Sequence, residues 1–311
     1  MRPTAGRASL PTGVVVVGDV LVDVIEDEVG GRIRCAGGAG LNLAIGVHRL
    51  GTPSALAAPV ASDELGGWLQ SVVLAEGVTL IPLASSRPTG VATSKRVAGE
   101  PTYEFSESIH HRHYAYTAAD VEAMSAGNVL VVNSFPMQDR AQTQALIEVV
   151  RRTGMTFVAD PNVRPTLVPD VRAYREGFRR LAEVADVVKL SLQDIAHLEA
   201  GSPEDVVDGL LQSGVSAVVL TKAQAGASVR TSGGVVVEVP VPTRSEPVAD
   251  TMGAGDATLA RLVCGIAEHG VDLPAGHWDE LLRDAMDLAA DICRITGGNL
   301  AAMTPTGRSE P

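Results

Sequence analysis

The sequence has few cysteines and no long hydrophobic run. Its three cysteines, Cys35, Cys264 and Cys293, lie far apart, so they form neither a CxxC metal pair nor an obvious disulfide framework. This cysteine usage favours a reducing, cytoplasmic setting. No window approaches the roughly 20 apolar residues that span a bilayer. The valine run from residue 14 ends too early for a signal peptide. We therefore expect a soluble protein with no membrane association.

Four widespread catalytic motifs are also missing. The chain has no GxxxxGK[ST] phosphate loop, no complete GxGxxG, no GxSxG elbow and no HExxH. These absences argue against the common nucleotide-loop, dinucleotide, serine-hydrolase and zinc-protease classes. The formal net charge is -12, so the phosphate backbone of a nucleic acid would meet a repulsive average field. We expect no nucleic-acid partner, and a small anion would bind only where local dipoles favour it.

Short β-branched runs alternate with helix-like stretches along most of the chain. The 311 residues could form one large domain or two smaller ones. Near-continuous apolar strands separated by helices predict a parallel sheet that is covered on both faces. The predicted fold class is therefore α/β, a doubly wound and mostly parallel sheet flanked by helices, over residues 13–305. The predicted strands include 14–20, 54–60, 129–133, 156–160 and 217–221, the predicted helices include 41–50 and 138–152, and 306–311 is predicted to be a disordered tail.

Two segments interrupt the alternation of strands and helices. Residues 21–38 and 89–108 each contain two short strand-like stretches around a glycine, which predicts antiparallel hairpins. Together they would form a small antiparallel β lid over a crevice, or else they are simple decorations of the surface. A thin sheet cannot bury its apolar positions alone, and these include Val22, Val24, Ile25 and Val91. Pairing with a second copy would cover them, which predicts a homodimer through the lid.

The most informative segment is VADTMGAGDATLARLVCGIAEHG, residues 248–270. Apolar positions after Asp256 have helical spacing, so the helix begins at Gly253, Ala254 and Gly255. Small residues there expose backbone N–H groups at a helix N-terminus, which predicts an anion site. Asp256 would lie beside that site as a base for phosphoryl transfer, or it would only cap the helix. Asp250 would be a plain turn residue unless it joins the site.

Several motifs resemble those of one enzyme family. DTMGAGDA at 250–257 resembles the C-terminal signature DTxGAGD of the ribokinase-like, PfkB-type carbohydrate kinases. AGGAGLNLAIGVHRLG at 36–51 is similar to their N-terminal signature, and DPNVRP at 160–165 is similar to fructokinase-like and 2-keto-3-deoxygluconate kinase-like members. The resemblance implies phosphorylation of a hydroxyl of a small sugar or sugar acid by Mg-ATP. It also implies dimerisation through the lid.

The resemblance assigns roles on the acceptor side of the site. It implies that Asp256 is the catalytic base, that Gly253, Ala254 and Gly255 form the anion hole, that Asp23, Gly37, Gly38 and Asn42 bind the acceptor's hydroxyls, and that Arg164 stands near the acceptor or the transferring phosphate. A carboxylate and an amide suit a polyol, and paired glycines let it lie close. The alternatives are a helix cap for Asn42, an exposed charge for Asp23 and a loop-packed side chain for Arg164.

The resemblance also implies a nucleotide side, where this chain departs from the family. The implied nucleotide-binding residues are Lys189, Asp194, Thr221, Ala223 and Gly226, with Asp194 as an indirect partner of Mg²⁺. The family's Asn-x-x-Glu is replaced here by Ser191 to Asp194, so Asp194 could instead be an exposed charge on a helix face. Lys189 could instead be a solvated lysine at the end of a strand. Alanine replaces glycine at 223, so backbone contact to phosphate is expected only if its φ is negative.

Further expectations concern a cation and the substrate class. Family members often bind a monovalent cation, which implies a K⁺ site at carbonyls of Asp250, Met252 and residues 296–298. Three histidines at 110, 111 and 113 are expected to face the crevice. Aromatic residues are too few and scattered to indicate a nucleoside pocket. A nucleoside kinase of the same family and a non-catalytic sugar or nucleotide sensor remain the alternatives, whereas a dehydrogenase would need the missing glycine loop.

Overall fold

The computed structural model describes residues 13–26, 31–97, 100–198 and 200–295. Thirteen strands in these ranges form two sheets. The strands are β1 (Val14–Val17), β2 (Leu21–Glu26), β3 (Arg32–Gly37), β4 (Ser54–Val60), β5 (Thr79–Ala84), β6 (Val91–Val97), β7 (Glu100–Phe105), β8 (Val129–Asn133), β9 (Thr156–Asp160), β10 (Val187–Ser191), β11 (Ala217–Thr221), β12 (Ala227–Thr231) and β13 (Val236–Val239).

Helices connect the strands of the larger sheet and cover both of its faces. They are α1 (Ala39–Arg49), α2 (Glu64–Ala75), α3 (Glu107–His110), α4 (Ala118–Met124), α5 (Arg140–Thr153), α6 (Val171–Ala182), α7 (Leu192–His197), α8 (Pro203–Gln212), α9 (Ala254–His269) and α10 (Ala275–Ile292), with single 3₁₀ turns at Pro165–Leu167 and Ala223–Ala225. Among the described helices, none combines the length and the apolar character that crossing a bilayer requires.

The larger sheet has nine strands in the order β13-β12-β11-β10-β9-β8-β1-β4-β5. The seven strands from β11 to β5 pair in parallel, whereas β12 and β13 extend the sheet as antiparallel strands. One large hydrophobic cluster lies on each face, so the strands are buried on both sides. The predicted doubly wound, mostly parallel sheet is confirmed, and the antiparallel extension was not foreseen.

The smaller sheet is the predicted lid, which we call the lid sheet (β3-β2-β6-β7). β2 and β3 form one antiparallel pair, and β6 and β7 form the other, as predicted. The two hairpins join through parallel pairing of β2 with β6, where Val22 lies opposite Val91. Ile25 and Ile33 face each other across β2 and β3 and are 42% and 66% exposed. Val22 is buried in the core of its own chain, and Val24 and Val91 pack against that core. The expectation that these three positions need a second copy to cover them is therefore wrong, whereas Ile25 is exposed as expected.

Element ends differ from the predictions where side chains or close contacts intervene. The strand expected over 14–20 ends at Val17, because Gly18 passes so close to α1 that a Cβ on it would lie 2.6 Å from the Cα of Gly40. The helix expected from 138 begins at Arg140, because the Asp139 side chain accepts hydrogen bonds from the first-turn N–H groups. The predicted domain end at 305 and the tail 306–311 lie outside the described residues.

Candidate active site

The candidate site lies at the carboxyl edge of the larger sheet. Asn133, Asp160, Ser191 and Thr221 are the last residues of β8, β9, β10 and β11. Asn133 lies opposite Asp160 in the strand register, and Ser191 lies opposite Thr221. Open α/β sheets bind ligands outside the carboxyl ends of their strands. The sheet therefore presents a row of polar side chains where a ligand would bind.

The N-terminus of α9 faces this edge. Gly253 is its N-cap with φ 78°, a left-handed conformation that favours glycine. Ala254 and Gly255 follow in the first turn, where backbone N–H groups have no partner within the helix. A Cβ placed on Gly255 would lie 3.6 Å from Nζ of Lys189. The predicted anion hole and the predicted nucleotide-side lysine are therefore neighbours.

Asp256 is the third residue of α9 and is half-buried. Its Oδ1 accepts a hydrogen bond of 3.1 Å from Nδ2 of Asn133. Burial raises the pKa of Asp256, and the charge of Asp19 raises it further. The positive charges of Arg164 and Lys189 act in the opposite direction on that pKa. A raised pKa makes a carboxylate a stronger base, which suits it to accept a proton.

On the acceptor side, Asp23 lies against the start of α1. A Cβ on Gly37 would lie 1.7 Å from Oδ2 of Asp23, and Gly38 has φ 107° with its Cβ position 2.7 Å from the carbonyl oxygen of Asp19. These two glycines therefore let the Asp23 and Asp19 segments approach. Burial and the charge of Asp19 raise the pKa of Asp23 to about 6. Asn42, the predicted acceptor-binding amide, is half-buried in the first turn of α1, and its backbone N–H donates to the carbonyl oxygen of Gly38.

Asp19 and Arg112 form a buried ion pair that the sequence analysis did not identify. Nη1 of Arg112 lies 2.7 Å from Oδ2 of Asp19, and Oδ1 of Asp19 accepts from the N–H of Gly40. The Nε of Arg112 is buried without a hydrogen bond. Asp19 lies just after β1, and Arg112 lies between His111 and His113, so 93 residues separate the two. No local pattern links them.

A cavity opens beside this ion pair, next to the start of β2. It encloses about 600 Å³, part of it open to solvent, and its lining includes Asp19, Arg112 and Thr89. His111 and His113 also line it, whereas His110 packs edge-on against Phe105 with ring centroids 6.4 Å apart. Asp256 does not line this cavity. The cavity is therefore separate from the start of α9, where the anion hole and the base are predicted.

Lys189 and Asp194 are buried, contrary to the alternative of solvated surface charges. Nζ of Lys189 donates to Oδ2 of Asp160 at 2.8 Å. Oδ1 of Asp194 accepts from the N–H of Val163, and its Oδ2 accepts from the N–H and hydroxyl of Ser191. With both oxygens engaged, Asp194 does not fit a direct Mg²⁺ ligand. An indirect role of Asp194 toward Mg²⁺, through water or a neighbouring group, stays a prediction.

The loop after β11 departs from one expectation. Ala223 has φ 50°, so the negative φ on which its phosphate contact depended is absent. The loop keeps the left-handed conformation that favours glycine, although the residue is alanine. Gly226 has φ 88°, and a Cβ there would lie 2.0 Å from the carbonyl oxygen of Val239. The hydroxyl of Thr221 donates to the carbonyl of Leu190, 3.3 Å away, which ties β11 to β10.

The predicted cation loop is described only in part. Oδ1 of Asp250 accepts from the N–H of Met252 at 2.9 Å, and the N–H of Asp250 donates to the carbonyl of Cys293. Asp250 is therefore part of the turn that leads into α9. Residues 296–298 lie outside the described residues, so the K⁺ site stays a prediction.

Known proteins are similar to this chain in sequence and in fold. Residues 11–305 match the pfkB family of carbohydrate kinases. A fructokinase of Klebsiella pneumoniae is 31% identical over 289 residues, covering 89% of this chain and 90% of that protein. A fructokinase of Escherichia coli is 27% identical over 299 residues, covering 94% of this chain and 95% of that protein.

Solved structures with the same fold include two fructokinases. One from Xylella fastidiosa with bound ATP has a TM-score of 0.78 at 23% identity, covering 94% of this chain and 95% of that one. One from Vibrio cholerae O395, in a form with fructose, ADP and calcium ion bound, has a TM-score of 0.77 at 23% identity, covering 93% of this chain and 96% of that one. Because the family match spans nearly the whole chain, this protein is a member of the pfkB family of carbohydrate kinases, and it is a sugar kinase.

Proposed function

We propose that this kinase transfers the γ-phosphoryl group of ATP to a hydroxyl of a small sugar or sugar acid, with fructose as the first candidate acceptor. The observation that supports this most is the position of Asp256. Its carboxylate stands in the first turn of α9, beside the N–H groups of Ala254 and Gly255 at the helix N-terminus, with Lys189 close by. Fructose comes first because fructokinases are among the relatives at 27% to 31% identity.

The chemistry follows from this arrangement. The N–H groups of residues 253–255 and the charge of Lys189 hold the transferring phosphoryl group, where negative charge develops. Asp256 takes the proton of the acceptor hydroxyl as the new O–P bond forms and the bond to the ADP oxygen breaks. Arg164 supplies further positive charge near Asp256. Asp23 and Asn42 orient the acceptor below the lid sheet.

Metal ions enter the proposal only through what they add to the nucleotide. Mg²⁺ bound with ATP neutralises charge on the phosphates. The buried Asp194 would act on it at a distance, since its oxygens are occupied by Val163 and Ser191. K⁺ would bind carbonyls of the loop around Asp250 and Met252.

A coupled ADP-release assay over a panel of acceptors tests the activity. The panel holds fructose, ribose, ketodeoxygluconate, tagatose phosphate and nucleosides, each with Mg-ATP. We expect turnover with a sugar or sugar acid, and a loss of at least about 100-fold in Asp256→Asn with nucleotide binding retained. Turnover of a nucleoside alone would favour the nucleoside kinase, and ligand binding without any turnover would favour the sensor. Near-normal turnover by Asp256→Asn would refute the assigned base.

We further propose that the lid sheet mediates a homodimer. Ile25 and Ile33 form a pair of exposed apolar side chains on neighbouring lid strands, and a second copy would bury them. Light scattering at micromolar concentration tests this, with Ile33→Glu as the disrupting variant. A monomeric wild-type protein would refute the dimer.

A further inference from the structure

A chain of hydrogen bonds between side chains leads to Asp256 from the sheet. Asn133, the last residue of β8, is 0% exposed. Its Nδ2 donates to Oδ1 of Asp256 at 3.1 Å, and its Oδ1 accepts from Nδ2 of Asn162 at 2.7 Å. A side-chain amide has one donor end and one acceptor end. Because Asn162 occupies the acceptor end, the donor end of Asn133 must face Asp256.

Asn162 is itself held in place by the turn after β9. It has φ 39°, a left-handed conformation that asparagine tolerates, and its N–H donates to Oδ1 of Asp160 at 3.0 Å. The other oxygen of Asp160 accepts from Lys189. Lys189, which lies beside the anion hole, therefore holds Asp160, and Asp160 holds Asn162. The side chains of Asn162 and Asn133 then connect this turn to Asp256.

We propose that Asn133 is a positioning residue for the base: it holds Oδ1 of Asp256 and leaves Oδ2 as the oxygen that receives the proton of the acceptor hydroxyl. This inference rests on the proposed function, since it assumes that Asp256 is the base. A merely structural Asn133 would tie β8 to α9, and its loss would lower stability without changing how Asp256 titrates. A positioning Asn133 affects the titration, because its N–H stabilises the charged form of the carboxylate.

The test is the pH dependence of kcat/KM in Asn133 variants of the full chain. In Asn133→Ala we expect kcat to fall by about 10- to 100-fold, because the carboxylate is no longer held in one orientation. We expect the acidic limb of the profile to move up by up to about one pH unit, because the charged form loses a donor. In Asn133→Asp a second carboxylate would face Asp256, so the acidic limb should move further up, by about two units. KM for ATP should change little in Asn133→Ala.

Asn128 provides a matched control. It precedes the same strand, and its Nδ2 donates to the carbonyl of Ala267 near the other end of α9, at 2.9 Å. Asn128→Ala therefore removes an asparagine link between the β8 segment and α9 far from the base. We expect it to leave kcat and the acidic limb unchanged. An equal shift of the limb in both variants would overturn the inference.

A second variant keeps the test decisive if Asn133→Ala does not fold. Asn162→Gly keeps the left-handed conformation but removes the amide that orients Asn133, so it should shift the acidic limb in the same direction with a smaller loss of kcat. An unchanged limb in Asn162→Gly and in any folded Asn133 variant would refute the positioning role. If those profiles are unchanged while Asp256→Asn is inactive, only this inference fails. If Asp256→Asn remains active, the proposed function fails first.

Discussion

Nζ of Lys189 lies 2.8 Å from Oδ2 of Asp160, and the two side chains are only 5% and 2% exposed. Burial disfavours the charge of Lys189, but the attraction of Asp160 and of the nearby Asp194 outweighs it and raises the pKa of Lys189. The lysine therefore stays protonated throughout the physiological range. This buried cation lies beside the first turn of α9, where we place the transferring phosphate.

Removing this cation should affect folding and nucleotide binding separately. The pKa of Asp160 is about 6 even beside the lysine, so in Lys189→Met this buried carboxyl must either carry an unpaired charge or take up a proton. Either cost should lower the free energy of unfolding, by up to about 3–5 kcal/mol. Adding Asp160→Asn removes that charge, so the double variant should regain much of the stability. It should still bind ATP at least about 10-fold more weakly than the wild type. Urea unfolding and the KM for ATP measure the two effects, and recovery of both in the double variant would contradict a phosphate-binding role.

The backbone of the anion hole can be tested with two matched glycines. Gly255 and Gly276 are each the second residue of a helix, α9 and α10, and a Cβ on Gly276 would meet open space. Alanine favours helix over glycine, so both alanine variants should be as stable as the wild type or up to about 1 kcal/mol more stable. Gly255→Ala should nevertheless lose about 10-fold or more in kcat/KM for ATP, because a methyl group would crowd the phosphate site.

Gly276→Ala serves as the control for that comparison. Its α10 position is far from the nucleotide site as we place it, so its activity should equal that of the wild type. Equal activity of both alanine variants would show that the phosphate does not approach Gly255. Thermal unfolding of both variants checks that the loss of activity is not a loss of fold.

Asp23 should show opposite effects on stability and on activity. Its pKa is about 6 in the folded chain, against an ordinary value of 3.8. The folded state therefore binds this proton more tightly than the unfolded state. As a result, the protonated Asp23 contributes fully to the free energy of unfolding below about pH 4, and this contribution is lost as the pH rises through about 6. At pH 7, Asp23→Asn should raise the free energy of unfolding, on the order of 1–3 kcal/mol.

The same substitution should weaken the acceptor site. If the ionised Asp23 accepts hydrogen bonds from the acceptor's hydroxyls, the wild-type KM for the acceptor should rise below about pH 6, and Asp23→Asn should abolish that rise. Asp63 is the control of opposite sign, because hydrogen bonds from Thr89 and Gly66 lower its pKa. Asp63→Asn should lower stability at pH 7. An Asp23→Asn variant that is less stable and fully active would contradict the assignment.

Local patterns predicted many of the strands and the start of α9 well, because each depends on neighbours in sequence. β4, β8 and β11 occupy the predicted residues, since their β-branched and apolar runs are bounded by turns. The start of α9 follows from Gly253 and the spacing of the apolar residues after Asp256. The glycine-rich motifs predicted which residues face a ligand, and that assignment stays a prediction.

Contacts between distant segments could not be predicted in this way. Asn133 contacts Asp256 only because β8 lies in the middle of the sheet, and 123 residues separate the two. The same holds for Asp19 and Arg112, whose pairing depends on where the segment after the second lid hairpin returns to β1. Sequence spacing contains no signal for such pairs. An expectation about φ, such as that for Ala223, likewise depends on the loop that surrounds it.

Ala223 gives a test of strain in the loop after β11. Its φ of 50° costs an alanine about 1–2 kcal/mol, and glycine adopts this conformation without that cost. Ala223→Gly should therefore raise the free energy of unfolding by up to about 1 kcal/mol, since the greater chain entropy of glycine offsets part of the gain.

Ala225 lies in the same 3₁₀ turn without a positive φ, so Ala225→Gly should lower stability by about 0.5–1 kcal/mol. Urea unfolding of both variants measures the difference, and a lower KM for ATP in Ala223→Gly would show that this loop contacts the nucleotide. Equal destabilisation by both substitutions would contradict strain at Ala223.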